Sequence, residues 1–252
     1  LIVIFIFGLT LRLWFLPNGA LTFIYDQGRD AFISTSIIQG NLKIQGPPSS
    51  TPGLFHGVFY YYLLAPFYLL GQGNPYFPAV GLAILNSLGI ILIFFFAGLL
   101  TKNIPISLGL SLLYATSFEQ SQYAVWLSNP GFAALTIPLF YYFLWHSHRR
   151  HLWSYLTAGL FLGLSIQADI FLAYHLVSLI ILWLTRDIPF RFSFISRFLV
   201  GLLLGIFPIL LAQVKFGFTG LSAVSRLILP SGVDPAKQVF SDTALNYLNQ
   251  LT

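Results

Sequence analysis

Uninterrupted apolar segments recur along the chain from its first residue to about residue 215. They do not alternate with a period of two, as the strands of a membrane barrel would, and several approach the roughly 20 residues that a membrane-spanning helix needs. A backbone in lipid must satisfy its own hydrogen bonds, so continuous runs of this kind predict helices. The pattern predicts spans at residues 1–16, 78–100, 104–124, 131–145, 152–167, 169–185 and 198–215.

One more apolar segment, residues 54–71 with the sequence LFHGVFYYYLLAPFYLLG, has two interpretations. It can form a further span, or an aromatic-rich helix that lies at the membrane interface. If 54–71 does not cross, the basic segments at Lys102, 146–151 and 186–197 lie on the side that the positive-inside rule makes cytoplasmic, whereas if it crosses they switch to the outside. We therefore predict an interfacial or re-entrant helix, within a first extracytoplasmic loop at residues 17–77.

The composition is typical of a membrane protein. Hydrophobic residues make up 57% of the chain and charged residues 8%, whereas soluble domains carry about 25% charged residues. The mean hydropathy is +0.81. The predicted fold class is therefore all-α, as a polytopic helix bundle in the plasma (inner) membrane. Lys and Arg occupy short loops without interleaved aromatic residues, so we expect membrane lipids but no nucleic acid as partners.

The chain contains neither Cys nor Met. The lack of Cys excludes disulfides and thiolate metal sites. Because no Met stands at position 1, we expect a fragment of a longer parent, in which 1–215 forms the transmembrane module and 216–252 begins an extracytoplasmic loop or C-terminal region. Arg12 interrupts the first apolar run, which favours a retained helix over a cleaved signal peptide.

In this topology the acidic residues lie almost entirely on the outer side of the membrane. Acids contribute little to the positive-inside rule, so their clustering is not a by-product of the predicted topology. It indicates a polar site that faces outward. The outer acids are Asp26, Asp30, Glu119, Asp169, Asp234 and Asp242, whereas Asp187 falls inside among arginines.

The densest group of charges is the segment YDQGRDAF at residues 25–32. If this segment is helical, Asp26, Arg29 and Asp30 lie at positions i, i+3 and i+4 and share one face. A purely structural interpretation is that Asp26 caps the helix while Arg29 pairs with Asp30 or with lipid phosphates. The sequence that follows favours a functional interpretation.

After this segment, a Gly- and Pro-rich stretch leads to His56 and the Tyr-rich run FHGVFYYYL. This order resembles the first extracytoplasmic loop of GT-C-type glycosyltransferases, the superfamily of protein O-mannosyltransferases and aminoarabinose transferases that use polyprenyl-phosphate sugars. In many of them an Asp-Glu-x-Arg motif precedes a helix that ends in Gly and then a Lys/His-Pro-Pro-like segment. Here the order is Asp26-Gln27-Gly28-Arg29, then Gly40, then His56. Gln27 replaces the second acid, and no paired prolines follow His56.

The resemblance implies a glycosyltransferase of the cell envelope that moves a hexose or pentose from a polyprenyl-phosphate donor to a lipid, glycan or protein acceptor outside the membrane. It implies Asp26 as the general base, and Arg29 and a protonated His56 as contacts of the donor phosphate, with Lys43 as a further candidate. The chemistry needs a carboxylate to take the acceptor's proton and cations to stabilise the leaving phosphate. The departures from the motif leave the use of a divalent metal open. No nucleotide cofactor is expected, because a P-loop and a Rossmann glycine pattern are missing.

Four further polar residues are weaker candidates for the same site: Asp30, Glu119, Gln167 and Asp169. Glu119 lies in an outer turn that can equally be an ordinary solvated loop. Gln167 and Asp169 interrupt an apolar region, where an acid at membrane depth is costly and indicates a site, unless it lies in water at the outer interface.

Two other functions stay open. A transporter or flippase for lipid-linked sugars would use the outer acids to bind a cation, and it predicts charges within the spans, which are nearly uncharged. A structural or assembly subunit would carry no chemistry. We expect the transferase.

Overall fold

The computed structural model of the protein describes residues 1–14, 16, 21–146, 152–185 and 191–228, so Asp187, Asp234, Asp242 and residues 147–151 and 186–190 of the basic segments lie outside the described residues. Regular structure in these ranges is helical apart from one isolated bridge between Pro48 and Phe55. The predicted all-α class is therefore confirmed. The α-helices are α1 (Ile2–Leu13), α2 (Tyr25–Ile38), α3 (Phe59–Leu70), α4 (Tyr76–Thr101), α5 (Ile104–Ala115), α6 (Phe118–Ala124), α7 (Ala133–His146), α8 (Leu152–Ala168), α9 (His175–Leu184), α10 (Phe192–Lys215) and α11 (Thr219–Ile228), with 3-10 turns at Asn129–Phe132 and Ile170–Tyr174.

Two helices, α4 and α10, are long and apolar enough to cross a membrane. At 1.5 Å per residue they extend about 39 Å and about 36 Å, more than the roughly 30 Å of a hydrocarbon core. On α10, the side chains of Leu203, Leu204 and Phe207 are each more than half exposed, which gives this helix an apolar outer face. Shorter apolar segments accompany the two long helices: α1, α3, α5 and Ile170–Leu184.

The predicted span at 104–124 is two helices rather than one. α5 ends at Ala115 and α6 begins at Phe118, because Ser117 has an extended backbone and its Oγ accepts a hydrogen bond from the N–H of Gln120 at 3.3 Å. Serine is among the residues preferred at this capping position. The apolar character continues across the break, so hydropathy alone could not show it.

Helix α3, within the ambiguous segment 54–71, is distinguished by its burial. It has 12 residues, as do α1 and α5. However, Tyr60, Tyr61 and Leu64 are fully buried, and the helix packs on α2 and α4. Protein contacts with α2 and α4 therefore hold α3 in place.

Helices α8 and α10 approach each other closely at glycine residues. A Cβ atom added to Gly163 would lie 2.7 Å from the Cα of Gly205, and one added to Gly159 would meet the backbone of Phe198. Small residues four apart allow helix backbones to approach in this way. The contact fixes the end of α8, and Gln167 at that end accepts hydrogen bonds from the backbone N–H groups of Gly57 and Phe59.

Arg12 ties α1 to its neighbours from a fully buried position. Its Nε donates to Oδ1 of Asn86 in α4 at 2.7 Å, and Nη1 donates to the carbonyl oxygen of Ala115 at the end of α5 at 3.1 Å. A buried guanidinium is tolerated when acceptors satisfy its N–H groups. The residue that interrupts the first apolar run is therefore a bracing residue between three helices.

The buried apolar residues form two clusters that meet at α7. One contains residues of α2, α3, α4 and the turn at Asn129–Phe132. The other contains residues of α7, α8, α9 and α10. Ile137 of α7 packs against both clusters. The candidate site lies at the edge of the first cluster, where α2 begins.

Candidate functional site

The charged segment YDQGRDAF forms the first two turns of α2, as predicted. Asp26, Arg29 and Asp30 share one face of the helix and contact each other there. The helix begins after Ile24, whose N–H donates to Oε1 of Gln27 at 3.1 Å. It ends before Gly40, whose φ of +96° favours glycine because a side chain is strained in this region.

Gln27 fastens the start of α2 to the segment between α6 and α7. Its side chain is buried, and Nε2 donates to the carbonyl oxygen of Leu127 at 2.9 Å. An ionised acid at this position could not donate that hydrogen bond. The amide therefore has a structural role where the GT-C motif has an acid: it holds residues 126–130 beside the charged face of α2.

Arg29 bridges two carboxylates that differ in exposure. Nη1 donates to Oδ1 of Asp26 at 2.8 Å, while Nε and Nη2 donate to Oδ1 of Asp30 at 2.9 and 2.7 Å. The exposed fraction of the side chain is 60% for Asp26, 12% for Arg29 and 3% for Asp30. Burial opposes the charge on Arg29, but Asp30, then Tyr61 and Asp26, outweigh this effect and raise the pKa of the guanidinium. Arg29 is therefore a permanent cation in the site.

The two carboxylates are suited to different roles. Burial raises the pKa of Asp30 to about 6, although Arg29 acts in the opposite direction. Asp26 lies at the surface, where an incoming hydroxyl group can reach its carboxylate. Asp26 can therefore accept a proton from a bound molecule, whereas the buried carboxylate of Asp30 holds Arg29 in position.

A tight turn in the Gly- and Pro-rich stretch brings His56 to the same place. The N–H of His56 donates to the carbonyl oxygen of Pro47 at 2.8 Å, and the N–H of Ser49 donates to that of Leu54 at 2.9 Å. Pro48 and Phe55 form the isolated bridge between the two arms. Pro47 and Pro48 thus lie next to His56 in space although they precede it in sequence.

His56 enters the site as a neutral ring. Burial lowers the pKa of His56, and Arg29 adds to this, while Asp169 acts in the opposite direction. Nδ1 is buried and has no hydrogen-bond partner among the described residues. Buried N–H donors without a partner are rarer in proteins than under-satisfied acceptors, so we assign the proton to Nε2. His56 can therefore donate one hydrogen bond to a ligand, in place of the imidazolium predicted from the sequence.

These groups surround a pocket of about 180 Å³. This volume is small beside the roughly 300 to 1,000 Å³ of pockets for drug-sized ligands, so it can accept the polar end of a lipid rather than the whole molecule. The pocket wall consists of Asp26, Gln27, Arg29, Asp30, Pro47, Pro48, His56, Trp126, Leu127, Ser128, Asn129 and Pro130.

Exposed apolar side chains lie next to this polar pocket. Phe23, Ile24 and Tyr25, directly before Asp26, are 44%, 61% and 69% exposed. Trp126 of the pocket wall is 41% exposed and stacks on Tyr123 with ring centroids 5.4 Å apart. Aromatic side chains at a boundary between polar and apolar surroundings are typical of a membrane interface.

Four of the other predicted candidates do not line the pocket. Glu119 is exposed in the first turn of α6. The backbone of Lys43 pairs with the hydroxyl of Tyr62, which donates to the Lys43 carbonyl oxygen at 2.9 Å. Asp169 caps the 3-10 turn before α9, where its Oδ1 accepts from the N–H of Phe171 at 3.0 Å. Asp169 also acts electrostatically on His56.

Gln167, the fourth of these candidates, holds the backbone that follows His56. It is buried, its Oε1 accepts from the N–H of Phe59 at 3.2 Å, and its carbonyl oxygen accepts from the N–H of Gly57 at 2.8 Å. Its Nε2 donates to the carbonyl oxygen of Gly205 in α10. Gln167 therefore links the α8–α10 pair to the residues that follow His56.

The sequence did not single out Pro47, Trp126 or Leu127 for the site. The turn chemistry of the stretch QGPPSSTPG indicated a loop, but not that its prolines would pair with His56. Leu127 contributes through a carbonyl group that any residue would provide. Such contacts depend on tertiary packing, and a sequence pattern does not contain them.

The charges of the site are carried by protein groups. Across the part of the chain that the structure describes, no group of three or more His, Asp or Glu side chains is arranged to hold a metal ion. Between Asp26 and Asp30 lies the guanidinium of Arg29, which bonds to both.

The fold and the site define an all-helical protein with a small acid–arginine–histidine pocket beside an apolar rim. Comparison with known proteins returns no matching family, no matching curated protein and no matching solved structure. A functional assignment therefore depends on the chemistry of the pocket.

Proposed function

We propose that the chain belongs to a multi-pass membrane glycosyltransferase of the GT-C type, with the pocket on the extracytoplasmic side. The donor is a polyprenyl-phosphate-linked sugar, and the acceptor is a lipid, a glycan or a protein. The observation that carries the proposal is the pocket itself, in which an exposed carboxylate, Asp26, lies beside the cation Arg29 and the N–H donor His56. The apolar rim before Asp26 and the two long helices α4 and α10 agree with a donor held in lipid.

The proposed reaction uses each of the three groups once. The acceptor oxygen forms a bond to the anomeric carbon of the sugar, and the bond from that carbon to the phosphate oxygen breaks. Asp26 takes the acceptor's proton as general base. The electron pair leaves with the lipid phosphate, where Arg29 and the Nε2–H of His56 stabilise the growing negative charge.

The membrane supplies proximity in this mechanism. An isoprenoid tail confined to the bilayer keeps the phosphate near the interface, so the pocket needs to bind only the headgroup. A pocket of about 180 Å³ suits a site that binds the headgroup while the bilayer holds the tail.

Lipid mass spectrometry of the purified parent protein tests the donor class. We expect a co-purified polyprenyl-phosphate sugar in the wild type and in Glu119→Gln, since Glu119 lies outside the pocket. In Arg29→Ala this lipid should fall by about tenfold or more, because the loss of one charge-assisted contact costs about 1.5 to 3 kcal/mol. Equal amounts in all three proteins would argue that any lipid found is not bound in the pocket.

A transporter or flippase for lipid-linked sugars is the second candidate, and the buried charge of Arg12 in α1 is the observation that favours it. Transport would require that charge to change partners between conformations. Arg12 instead donates four hydrogen bonds to neutral groups: Oδ1 of Asn86 and the carbonyl oxygens of Gly8, Tyr114 and Ala115. These contacts suit bracing, so we favour the transferase.

A further inference from the structure

The pocket carries excess negative charge before any donor binds. Asp26 and Asp30 contribute two carboxylates against the single guanidinium of Arg29, and the ring of His56 is neutral. A phosphodiester donor, which the proposed function requires, adds another negative charge. Like charges this close repel strongly in a partly buried site. Something must therefore compensate when the donor binds.

Asp30 is the group in the pocket best placed to compensate. Its carboxylate is almost completely buried, and both hydrogen bonds that it receives from Arg29 end on Oδ1. Oδ2 is thus available for a proton. Protonation of Asp30 would remove one negative charge and weaken its hold on Arg29, which frees the guanidinium to contact a phosphate.

The surroundings of Asp30 suit both of its protonation states. Four hydroxyl groups at the α2–α3 interface are buried: those of Ser34, Tyr60 and Tyr68 have no hydrogen-bond partner among the described residues, and that of Tyr61 lies beside Arg29. Burial, and then the nearby carboxylate of Asp30, raise the pKa of the three tyrosines, so they remain neutral. A neutral hydroxyl group can donate to a carboxylate or accept from a carboxylic acid. This cluster can therefore serve Asp30, directly or through water, whether or not it carries a proton.

We infer that Asp30 takes up a proton from solvent when an anionic lipid headgroup binds at Arg29, so that donor binding is linked to protonation of this residue. Asp30 then acts as a positioning residue: it holds Arg29 in the empty pocket and releases it in the occupied one. The inference rests on the proposed function, because it assumes a phosphate-bearing ligand. No covalent bond other than the O–H bond forms or breaks in this step.

The other charged and titratable groups around Asp30 support this assignment. Arg29 and Asp26 face it from α2, the three tyrosines face it from α3, and His56 shares the pocket. Arg29 keeps its charge, and the tyrosines keep their protons. Burial has already raised the pKa of Asp30 to about 6. A bound anion raises it further, into the range where one proton is taken up near neutral pH.

Calorimetric titration of the purified parent protein in detergent tests the inference. The probe is farnesyl methyl phosphate, a phosphodiester that does not titrate near neutral pH, with EDTA present throughout. In buffers of different ionisation enthalpy, the wild type and Glu119→Gln should take up as much as about one proton per bound probe at pH near 7. Their affinity should fall by up to about tenfold for each pH unit above about 6.

Two variants assign the proton to a residue. Asp30→Asn should bind the probe without proton uptake and with an affinity that does not change with pH, whereas His56→Gln should keep the uptake. Probe binding by the wild type without proton uptake would overturn the inference and leave the proposed function standing. Loss of the uptake in His56→Gln but not in Asp30→Asn would also overturn it. No binding of the probe at any pH would overturn both proposals.

A direct measurement covers the case in which Asp30→Asn does not fold. Difference infrared spectroscopy of the wild type, with and without the probe, should show the carbonyl band of a newly protonated carboxyl group. Its absence, in a sample shown to bind the probe, would contradict the inference.

Discussion

Arg29 gives the site its asymmetry at the scale of single residues. It holds an exposed carboxylate with one nitrogen and a buried carboxylate with two. A planar guanidinium can make both contacts at once, because its N–H groups point along fixed directions. The arrangement leaves Asp26 accessible for proton transfer, while Asp30 keeps the cation in place.

Replacement of Arg29 by Lys tests this geometry. Lysine keeps the positive charge but cannot bridge the two carboxylates with a rigid fork. We expect the donor KM to rise by about tenfold or more with a smaller change in kcat, since donor binding depends on the phosphate contact. Steady-state transfer at varied donor concentration measures this, and an unchanged donor KM would remove Arg29 from the donor site.

The burial of Asp30 predicts a pH-dependent contribution to stability. Its pKa in the folded protein, about 6, lies above the ordinary value of 3.8. The folded state therefore binds this proton more tightly than the unfolded chain does, so Asp30 favours folding at low pH and loses that effect as the pH rises through about 6. Relative to Asp30→Asn, the wild type should lose on the order of 2 to 3 kcal/mol between about pH 4 and about pH 7.

Thermal unfolding of both proteins in detergent across this pH range gives the difference directly. Other titrating groups largely cancel, because the two proteins share them. A stability difference that stays constant with pH would show that Asp30 is not protonated more readily in the folded state.

The sequence predicted part of the site at this scale. The shared face of Asp26, Arg29 and Asp30 follows from helical spacing alone. The role of Gln27 could not be predicted, because its partner Leu127 lies 100 residues away along the chain. The neutral state of His56 likewise depends on burial that only the folded chain creates.

At the scale of elements, the glycine contact between α8 and α10 positions the support of the pocket. Leucine at Gly163 would collide with the backbone of α10, because its Cβ would lie 2.7 Å from the Cα of Gly205. We expect Gly163→Leu to destabilise the folded protein by about 2 kcal/mol or more. Transfer activity should fall as well, because Gln167 on α8 holds the chain that follows His56.

Gly109 in α5 offers a matched control, since a Cβ there would meet nothing within 4 Å. Gly109→Leu should be neutral or stabilising by up to about 1 kcal/mol, because leucine forms helix better than glycine. Thermal unfolding in detergent compares the two variants. Equal stability of Gly163→Leu and wild type would mean that the α8–α10 contact is not as close as described.

Element boundaries show where sequence patterns are sufficient. The long apolar run predicted at 78–100 is one helix, α4, whereas the run at 104–124 contains a break that Ser117 caps. The run at 169–185 begins with a 3-10 turn that Asp169 caps. Hydropathy identifies apolar segments, but short polar caps decide where each helix begins and ends.

At the scale of the whole molecule, the long apolar helices and the helix that contributes pocket residues have different roles. α4 and α10 provide the length that a bilayer requires. The start of α2, the loop between α2 and α3, and residues 126–130 build the pocket at the edge of one core cluster. Composition predicted an all-helical apolar protein, but the assembly of the pocket from segments about 100 residues apart needed the folded structure.

The central claim is that Asp26 removes the acceptor's proton during sugar transfer. The direct measurement is the transfer rate from a polyprenyl-phosphate sugar in membranes that contain equal amounts of wild type, Asp26→Asn or Glu119→Gln. We predict that Asp26→Asn inserts normally but transfers sugar about 100- to 10,000-fold more slowly, which is the usual contribution of general base catalysis, while Glu119→Gln retains activity. Transfer by Asp26→Asn at the wild-type rate would contradict the account.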